Sequence, residues 1–137
     1  MKTHKLKFIL LFFLFQSCVI FDNDSDPIIG NYEVSWIDSP RTRAICEKYS
    51  ATGSTVLVPQ YVFAIGYNSE FIIAKQHPTS DFKEGYKIDV SVTNYFIIDI
   101  RNGTHVIGPL NKKSFFEQKS KLDIDELKFT RVYSENL

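Results

Sequence analysis

An alternation of apolar and polar residues with a period of two most constrains the fold of this chain. Tyr32, Val34 and Trp36 alternate with polar residues, and the same spacing recurs in several segments toward the C-terminus. A period of two is typical of β-strands that bury one face, whereas an α-helix needs a period near 3.6. The pattern therefore predicts a mainly β domain.

Turn signals divide the alternating region into short strands. Asn68-Ser69 separates two apolar segments, and Asn102-Gly103 is a dipeptide that strongly favours a two-residue hairpin. The segment 61–67 places residues 61, 63, 65 and 67 on one face and is apolar on the other face as well, which predicts a central strand covered on both sides. The segments with strand character are 32–36, 41–48, 55–58, 61–67, 70–76, 94–101, 104–107 and 126–133, with a weak strand at 87–92.

One helix is predicted near the C-terminus. Residues 111–122 contain helix formers and no β-branched residue. Ser114 and Glu117 have the spacing of a capping box, and Asn111 is the alternative start. The expected fold is mainly β (α+β), with an antiparallel sheet of about six or seven strands, curled or sandwich-like, and this one helix. A mixed α+β sheet with the helix on one face is the near alternative.

The first seventeen residues have the composition of a bacterial secretory signal. Three lysines precede the apolar run 8–15, and Gln16 and Ser17 separate this run from Cys18. A cysteine directly after a small residue resembles a lipobox, and this resemblance implies that Cys18 is acylated and becomes the first residue of the mature chain. The run is too short to span a membrane, which takes about 20 apolar residues. Simple secretion, and an uncleaved anchor or a core helix, are the alternatives.

These features divide the chain into three parts. Residues 1–17 are predicted to be a lipoprotein signal peptide, residues 18–29 a lipid-anchored acidic tether, and residues 30–137 a single β-rich domain. The acidic residues after Cys18 also resemble the export tag of some outer-membrane lipoproteins, with a plain polar linker as the alternative. Position 19 is Val, so the Asp of the inner-membrane retention signal is absent. We therefore expect a lipid-anchored protein of the bacterial cell envelope, at the outer membrane, with its periplasmic or surface face left open.

The charge balance excludes one class of partner. The chain has 16 basic and 16 acidic residues, and removal of the lysine-bearing signal leaves an acidic excess. Domains that bind nucleic acid usually carry a basic excess or a basic stripe. No nucleic-acid partner is predicted, and the expected partners are the membrane, through the lipid, and an envelope protein.

Residues that carry chemistry are scattered along the sequence. With Cys18 acylated, Cys46 is a lone thiol and is predicted to be a buried small residue; without acylation, a Cys18–Cys46 disulfide is the alternative. His77 and His105 show no metal-ligand spacing, and no known catalytic motif occurs. The sequence therefore predicts no metal, no cofactor and no catalytic residue, so the chain is not expected to be an enzyme.

Four side chains are candidates for ligand binding. Lys75 shares a strand face with Phe71 and Ile73, which is unusual for an amine. In one interpretation its stem packs and its ammonium group reaches water at the end of the sheet. In the other it is a polar contact in a pocket beside aromatic residues. The residues proposed for that pocket are Tyr61, Tyr67, Lys75 and Tyr95.

A family resemblance accompanies these patterns. The residues that carry it are Gly30-x-Tyr32, Glu70-Phe-Ile-Ile-Ala-Lys-Gln76, Asn94-Tyr-Phe-Ile-Ile-Asp-Ile100 and Gly108-Pro-Leu110, followed by a helix with Phe. In this order they resemble the small bacterial lipoproteins of the domain of unknown function 3997, over roughly residues 30–129. The resemblance implies an exported lipoprotein of unassigned activity and supplies no catalytic residues.

Two functions are compatible with this sequence. The first is a lipid-anchored cell-envelope protein that acts as a non-enzymatic binding or interaction module. The alternative is an immunity or inhibitor-type lipoprotein that acts against a toxin or hydrolase at the envelope. The small size and the mild acidity of the mature chain are compatible with either.

Overall fold

The computed structural model describes residues 24–79 and 87–137, which form two antiparallel sheets and one α-helix. The four-stranded sheet has the order β1-β2-β3-β4, and the five-stranded sheet has the order β8-β7-β6-β5-β9. The elements are β1 (Asp24–Ile29), β2 (Tyr32–Trp36), β3 (Ala44–Lys48), β4 (Ser54–Val58), β5 (Val62–Tyr67), β6 (Phe71–Gln76), β7 (Asn94–Asp99), β8 (His105–Leu110), α1 (Lys112–Lys121) and β9 (Arg131–Val132). The predicted mainly β, sandwich-like fold with one C-terminal helix is confirmed, with nine described strands where about six or seven were expected.

Two apolar layers hold the elements together. The first layer lies between the sheets and includes Val34, Ile45, Ile65, Ile72 and Ile98, each with no exposed surface. The second lies between the five-stranded sheet and α1, and its fully or nearly fully buried members are Phe71, Ile73, Ile97 and Phe115. Burial of each such side chain contributes about 1.5–3 kcal/mol. The five-stranded sheet is thus covered on both faces, as predicted for the segment 61–67.

The helix starts at the second of the two positions that the sequence allowed. The Asn111 side-chain oxygen accepts a hydrogen bond from the Ser114 N–H at 2.9 Å, which satisfies one free donor of the first turn. Phe115 anchors the helix, since its ring lies 4.8 Å from that of Tyr95 on β7. Within the described ranges, no helix is long and apolar enough to cross a membrane.

The predicted boundary between tether and domain, at residue 30, is wrong. Residues of β1 (Asp24–Ile29) pair with β2 as an edge strand of the four-stranded sheet. Asp26 forms an ion pair with Arg131 at 3.0 Å and accepts a hydrogen bond from the Tyr133 hydroxyl at 2.7 Å. The acidic, polar composition of this segment indicated a solvated linker. The partners that hold β1 in the sheet are distant in sequence, so the local pattern could not reveal them. Residues 1–23, with the predicted signal, Cys18 and the first half of the tether, lie outside the described residues.

A β-bulge interrupts the alternation predicted for 61–67. The pairing of β5 with β6 shifts between Val62 and Ala64, so one residue of β5 is extra. Val62, Ile65 and Tyr67 therefore face the layer between the sheets, whereas the Phe63 ring stacks on His77 with centroids 4.2 Å apart. The prediction that residues 61, 63, 65 and 67 share one face is wrong, since a shift of one residue reverses the side-chain direction.

The strand predicted at 126–133 is mostly an extended segment without sheet pairing. Only Arg131–Val132 forms a strand, β9, beside β5. The preceding residues cross the helix-covered face closely, and a Cβ atom at Gly66 would collide with the Lys128 carbonyl. The weak strand predicted at 87–92 is an isolated bridge between Thr79 and Ile88.

Candidate binding cleft

A cleft of about 620 Å³ opens at one end of the sandwich. At this end β2, β4, β6 and β8 finish and β3, β5 and β7 begin. Both sheets and the β4–β5 connection supply its walls, so the cleft depends on the whole topology. We call it the end cleft and define it by Trp36, Cys46, Val56, Tyr61, Gln76 and Phe96.

The described residues that line the end cleft are uncharged. Aromatic and apolar side chains dominate, and the polar groups among the described lining residues are hydroxyls, a thiol, the indole N–H of Trp36 and the amides of Gln60, Gln76 and Asn94. Among residues 24–79 and 87–137, no Asp, Glu, Lys or Arg lines the cleft, although these residue types make up 23% of the chain. A concave, mainly apolar surface with a few amide and hydroxyl groups is typical of sites that bind neutral or apolar groups.

Tyr61 has an unusual backbone conformation at this site. Its φ angle is +76°, in the left-handed region that costs an L-residue about 1–2 kcal/mol. The end of β6 holds the connection in place, because the His77 N–H donates to the Tyr61 carbonyl at 3.2 Å and the Gln76 amide donates to the Gln60 carbonyl at 2.9 Å. These bonds fix the side chain of Tyr61 at the cleft.

A buried polar pair supports the same end of the five-stranded sheet. The Asn94 amide donates to the Gln76 side-chain oxygen at 3.0 Å, and Gln76 is 4% exposed. His77 is also buried, and its Nδ1 donates to the Val92 carbonyl at 2.7 Å, which requires the proton on that nitrogen. His77 is therefore a buried structural residue.

Cys46 lies at the cleft as a buried free thiol, which confirms the burial predicted for it. Burial raises its pKa, the negative charge of Glu33 raises it further, and a hydrogen bond with Ser54 acts in the opposite direction. The net effect keeps the thiol protonated at neutral pH. A protonated, buried thiol is a poor nucleophile.

A polar groove continues from the end cleft along the outer face of the four-stranded sheet. Its volume is about 440 Å³, and it shares Ser35, Trp36, Ile37 and Ser54 with the end cleft. Its charged residues include an ion pair between Lys48 and Glu33 at 2.7 Å, near the β3–β4 turn. Among the residues that the structure describes, charged side chains therefore line the groove and not the end cleft.

Contacts with Arg43 stabilise the position of Trp36 in the wall of the end cleft. The Arg43 guanidinium stacks between Trp36 and Tyr133, 4.8 Å and 4.4 Å from their ring centroids. It also donates to the Glu135 carboxylate at 3.0 Å and to the Pro40 carbonyl at 2.7 Å. Arg43 is 8% exposed, so these contacts are a fixed part of the fold, and they connect the cleft to Tyr133 and Glu135.

The structure does not bring the four predicted ligand-binding residues together. Tyr61 lines the end cleft. Tyr67 packs against the layer between the sheets, and its hydroxyl accepts from Arg131 at 3.1 Å. Lys75 lies on the helix-covered side, with its ammonium nitrogen 5.8 Å from the Tyr95 ring centroid. Sequence reasoning missed Trp36, Gln76 and Asn94, because strand ends meet in space only once the pairing is known.

Within the described ranges, no three His, Cys, Asp or Glu side chains form a group that could hold a metal ion. Cys46 and His77, the thiol and the histidine weighed from the sequence, have separate roles in the structure. Cys46 contacts Ser54 on the four-stranded sheet, and His77 is bonded to Val92. The chemistry that the end cleft offers is therefore apolar contact and neutral hydrogen bonding.

A family model described as a protein of unknown function, DUF3997, matches residues 29–133, which is well over half of the chain. The chain belongs to the DUF3997 family. The DUF3997 match includes β2 to β9 and the helix, and with them the described residues that line the end cleft. It confirms the family resemblance drawn from the sequence. Neither the search of curated proteins nor the search of solved structures found a match for this DUF3997 chain.

Proposed function

We propose that this DUF3997 chain is a lipid-anchored, non-enzymatic binding module of the bacterial cell envelope, and that the end cleft is its binding surface. The observation that carries the proposal is Tyr61, a bulky residue held at φ +76° beside an open cleft whose described lining is uncharged. Strained backbone conformations cluster at functional sites, where the strain fixes a side chain that the fold alone does not need.

The anchor in this proposal is Cys18. Three lysines, an eight-residue apolar run and a small residue precede it, as in lipoprotein signals. Two or three acyl chains give stable attachment, whereas one chain gives marginal attachment. The acidic residues after Cys18 and the Val at position 19 favour the outer membrane as the location.

The non-enzymatic part of the proposal is supported by the state of the reactive groups. The Cys46 thiol is protonated and buried, and the imidazole of His77 is stacked on Phe63 and bonded to a backbone carbonyl. Neither group is arranged as a nucleophile with its base. Among the described residues, the polar side chains of the end cleft are suited to orienting a bound group.

Two measurements test the proposal in the native host. Intact mass spectrometry of the membrane-extracted protein should show a chain that starts at Cys18 and carries acyl mass. An unacylated chain that was cleaved at a different position would contradict the anchor. For the cleft, a photo-cross-linking amino acid replaces Tyr61 in one strain and the exposed helix residue Lys121 in a control strain. We expect a distinct adduct from position 61 only, and identical adduct patterns from both positions would count against the cleft.

A further inference from the structure

The four edge strands of the two sheets differ in how they are protected. Free sheet edges attract other strands, and proteins block them with charges, proline, bulges or short length. β1 carries Asp24, Asp26, Pro27 and a register shift, β8 carries Pro109 and a register shift, and β9 has two residues. Three of the described edges are therefore blocked by ordinary means.

The remaining edge, β4, is open. Its five residues, Ser54–Val58, include no charge and no proline, and three are β-branched. Its register shift falls at Leu57, so residues 54–56 pair in unbroken register with residues 46–48. Val56 is 59% exposed. β4 also has a register shift, but among the edges in the described part of the chain it alone has neither a charged residue nor a proline and is longer than two residues.

This open edge lies at the end cleft. Val56 is paired with Cys46, so both side chains are on the same face of the sheet, and both line the cleft. A strand added beside β4 would run about 4.8 Å from it. One side chain of the added strand would then lie next to Val56, and every second side chain would be on the same sheet face as Val56 and Cys46.

The distribution of charge selects the occupant. The described lining of the end cleft has no charged residue, so it matches neutral apolar side chains, whereas the Lys48–Glu33 ion pair beside the Ser54 end of β4 matches a polar or charged one. Residues 54–56, the part of β4 in unbroken register, extend over about 10 Å, which is enough to pair with about three residues of an added segment. We propose that β4 accepts an extended segment of a partner polypeptide as an added strand, and that its alternate, uncharged apolar side chains enter the end cleft. This inference rests on the proposed function and specifies the chemistry of its partner.

The test uses peptides selected on the full chain. Random linear dodecapeptides displayed on phage are panned against the protein, and the best enriched sequence is synthesised with a fluorophore for anisotropy titration. Two further versions carry backbone N-methyl groups on its odd or on its even residues. Residues of only one parity direct their N–H groups toward a neighbouring strand. We expect one methylated version to bind at least tenfold more weakly and the other to keep its affinity.

Protein variants test the open edge where it forms part of the end cleft, while the N-methylated peptides separate strand addition from side-chain binding. Val56→Lys places a charge on the open edge, and Val132→Lys on β9 is its matched control, since the two valines are 59% and 58% exposed. Tyr61→Gly removes the cleft side chain without touching β4. Circular dichroism verifies that each variant is folded. We expect at least tenfold weaker peptide binding for Val56→Lys and unchanged binding for Val132→Lys.

Three results would overturn the inference. Loss of binding in Tyr61→Gly, with equal tolerance of both N-methylated peptides, would show that the cleft binds side chains without strand addition and would leave the proposed function standing. Failure to enrich any peptide, or peptide binding that neither Val56→Lys nor Tyr61→Gly weakens, would contradict both this inference and the proposed function. A dimer of the wild-type chain in light scattering that becomes a monomer in Val56→Lys would assign β4 to a second copy of this chain.

Discussion

The strain at Tyr61 can be measured with two variants of one position. Tyr61→Gly and Tyr61→Ala remove the same aromatic ring, so the lost ring contacts largely cancel when the two are compared. A left-handed conformation costs an L-residue about 1–2 kcal/mol and costs glycine almost nothing. Glycine also gives the unfolded chain more freedom, which reduces its advantage by about 0.4–1 kcal/mol. At φ +76° we therefore expect Tyr61→Gly to be more stable than Tyr61→Ala by about 0.5–1 kcal/mol.

Urea unfolding of the full chain, followed by the fluorescence of its single tryptophan, Trp36, reports this difference. With a slope of about 2 kcal/mol/M, the midpoint of Tyr61→Gly should lie about 0.3–0.5 M above that of Tyr61→Ala. The same pair of substitutions at Val56, an exposed position in β4, is the control, and there alanine should be the more stable by about 0.5–1 kcal/mol. An alanine variant at position 61 that equals or exceeds the glycine variant would refute strain at this residue.

Three further predictions follow from the packing and the caps. Ile72→Ala, which truncates a fully buried side chain between the sheets, should cost about 2–5 kcal/mol in urea unfolding, and a loss below about 1 kcal/mol would contradict the packing described for this layer. Asn111→Ala should lower the free energy of unfolding by about 1 kcal/mol, whereas Asn111→Asp should lower it much less because aspartate also caps helices. An equal loss in both variants would argue against the side-chain cap. The Cys46 thiol should react with a disulfide reagent far more slowly in the native protein than in urea. Its pKa is raised in the folded state, so the unfolded chain loses the thiol proton at a lower pH than the folded chain does. The free energy of unfolding should therefore fall as pH rises through the usual thiol range. Equal native and unfolded rates, or stability that rises in that range relative to Cys46→Ala, would oppose this reading.

Local pattern was enough to predict much of the fold. The hairpin of β5 and β6 and the helix at α1 each depend on neighbours in the sequence, and the structure confirms them. Contacts between distant residues were not predictable in this way. β1 was assigned to the tether because its acidic residues favour a linker, and its place in the sheet depends on Arg131 and Tyr133.

The cleft was harder to predict than the fold, for a related reason. Its residues come from the ends of strands in two sheets, and no segment of the sequence contains the set. Tyr61 was predicted as a candidate from its aromatic character. Tyr67 was grouped with it by parity, which the bulge between Val62 and Ala64 reverses. Tyr95 and Lys75 belong to the face that the helix covers.

The register of β1 also limits the distance between Cys18 and the end cleft. Asp24 pairs with Trp36, so the first described residue lies where the polar groove meets the end cleft. Five residues lie between Cys18 and Asp24, and the six residue steps of an extended chain reach at most about 20 Å. With the proposed lipid at Cys18, the binding surface stays within a layer of roughly that depth above the bilayer. The module would then search for its partner mainly by lateral diffusion in two dimensions, and it would meet segments that project only a short way from the same membrane.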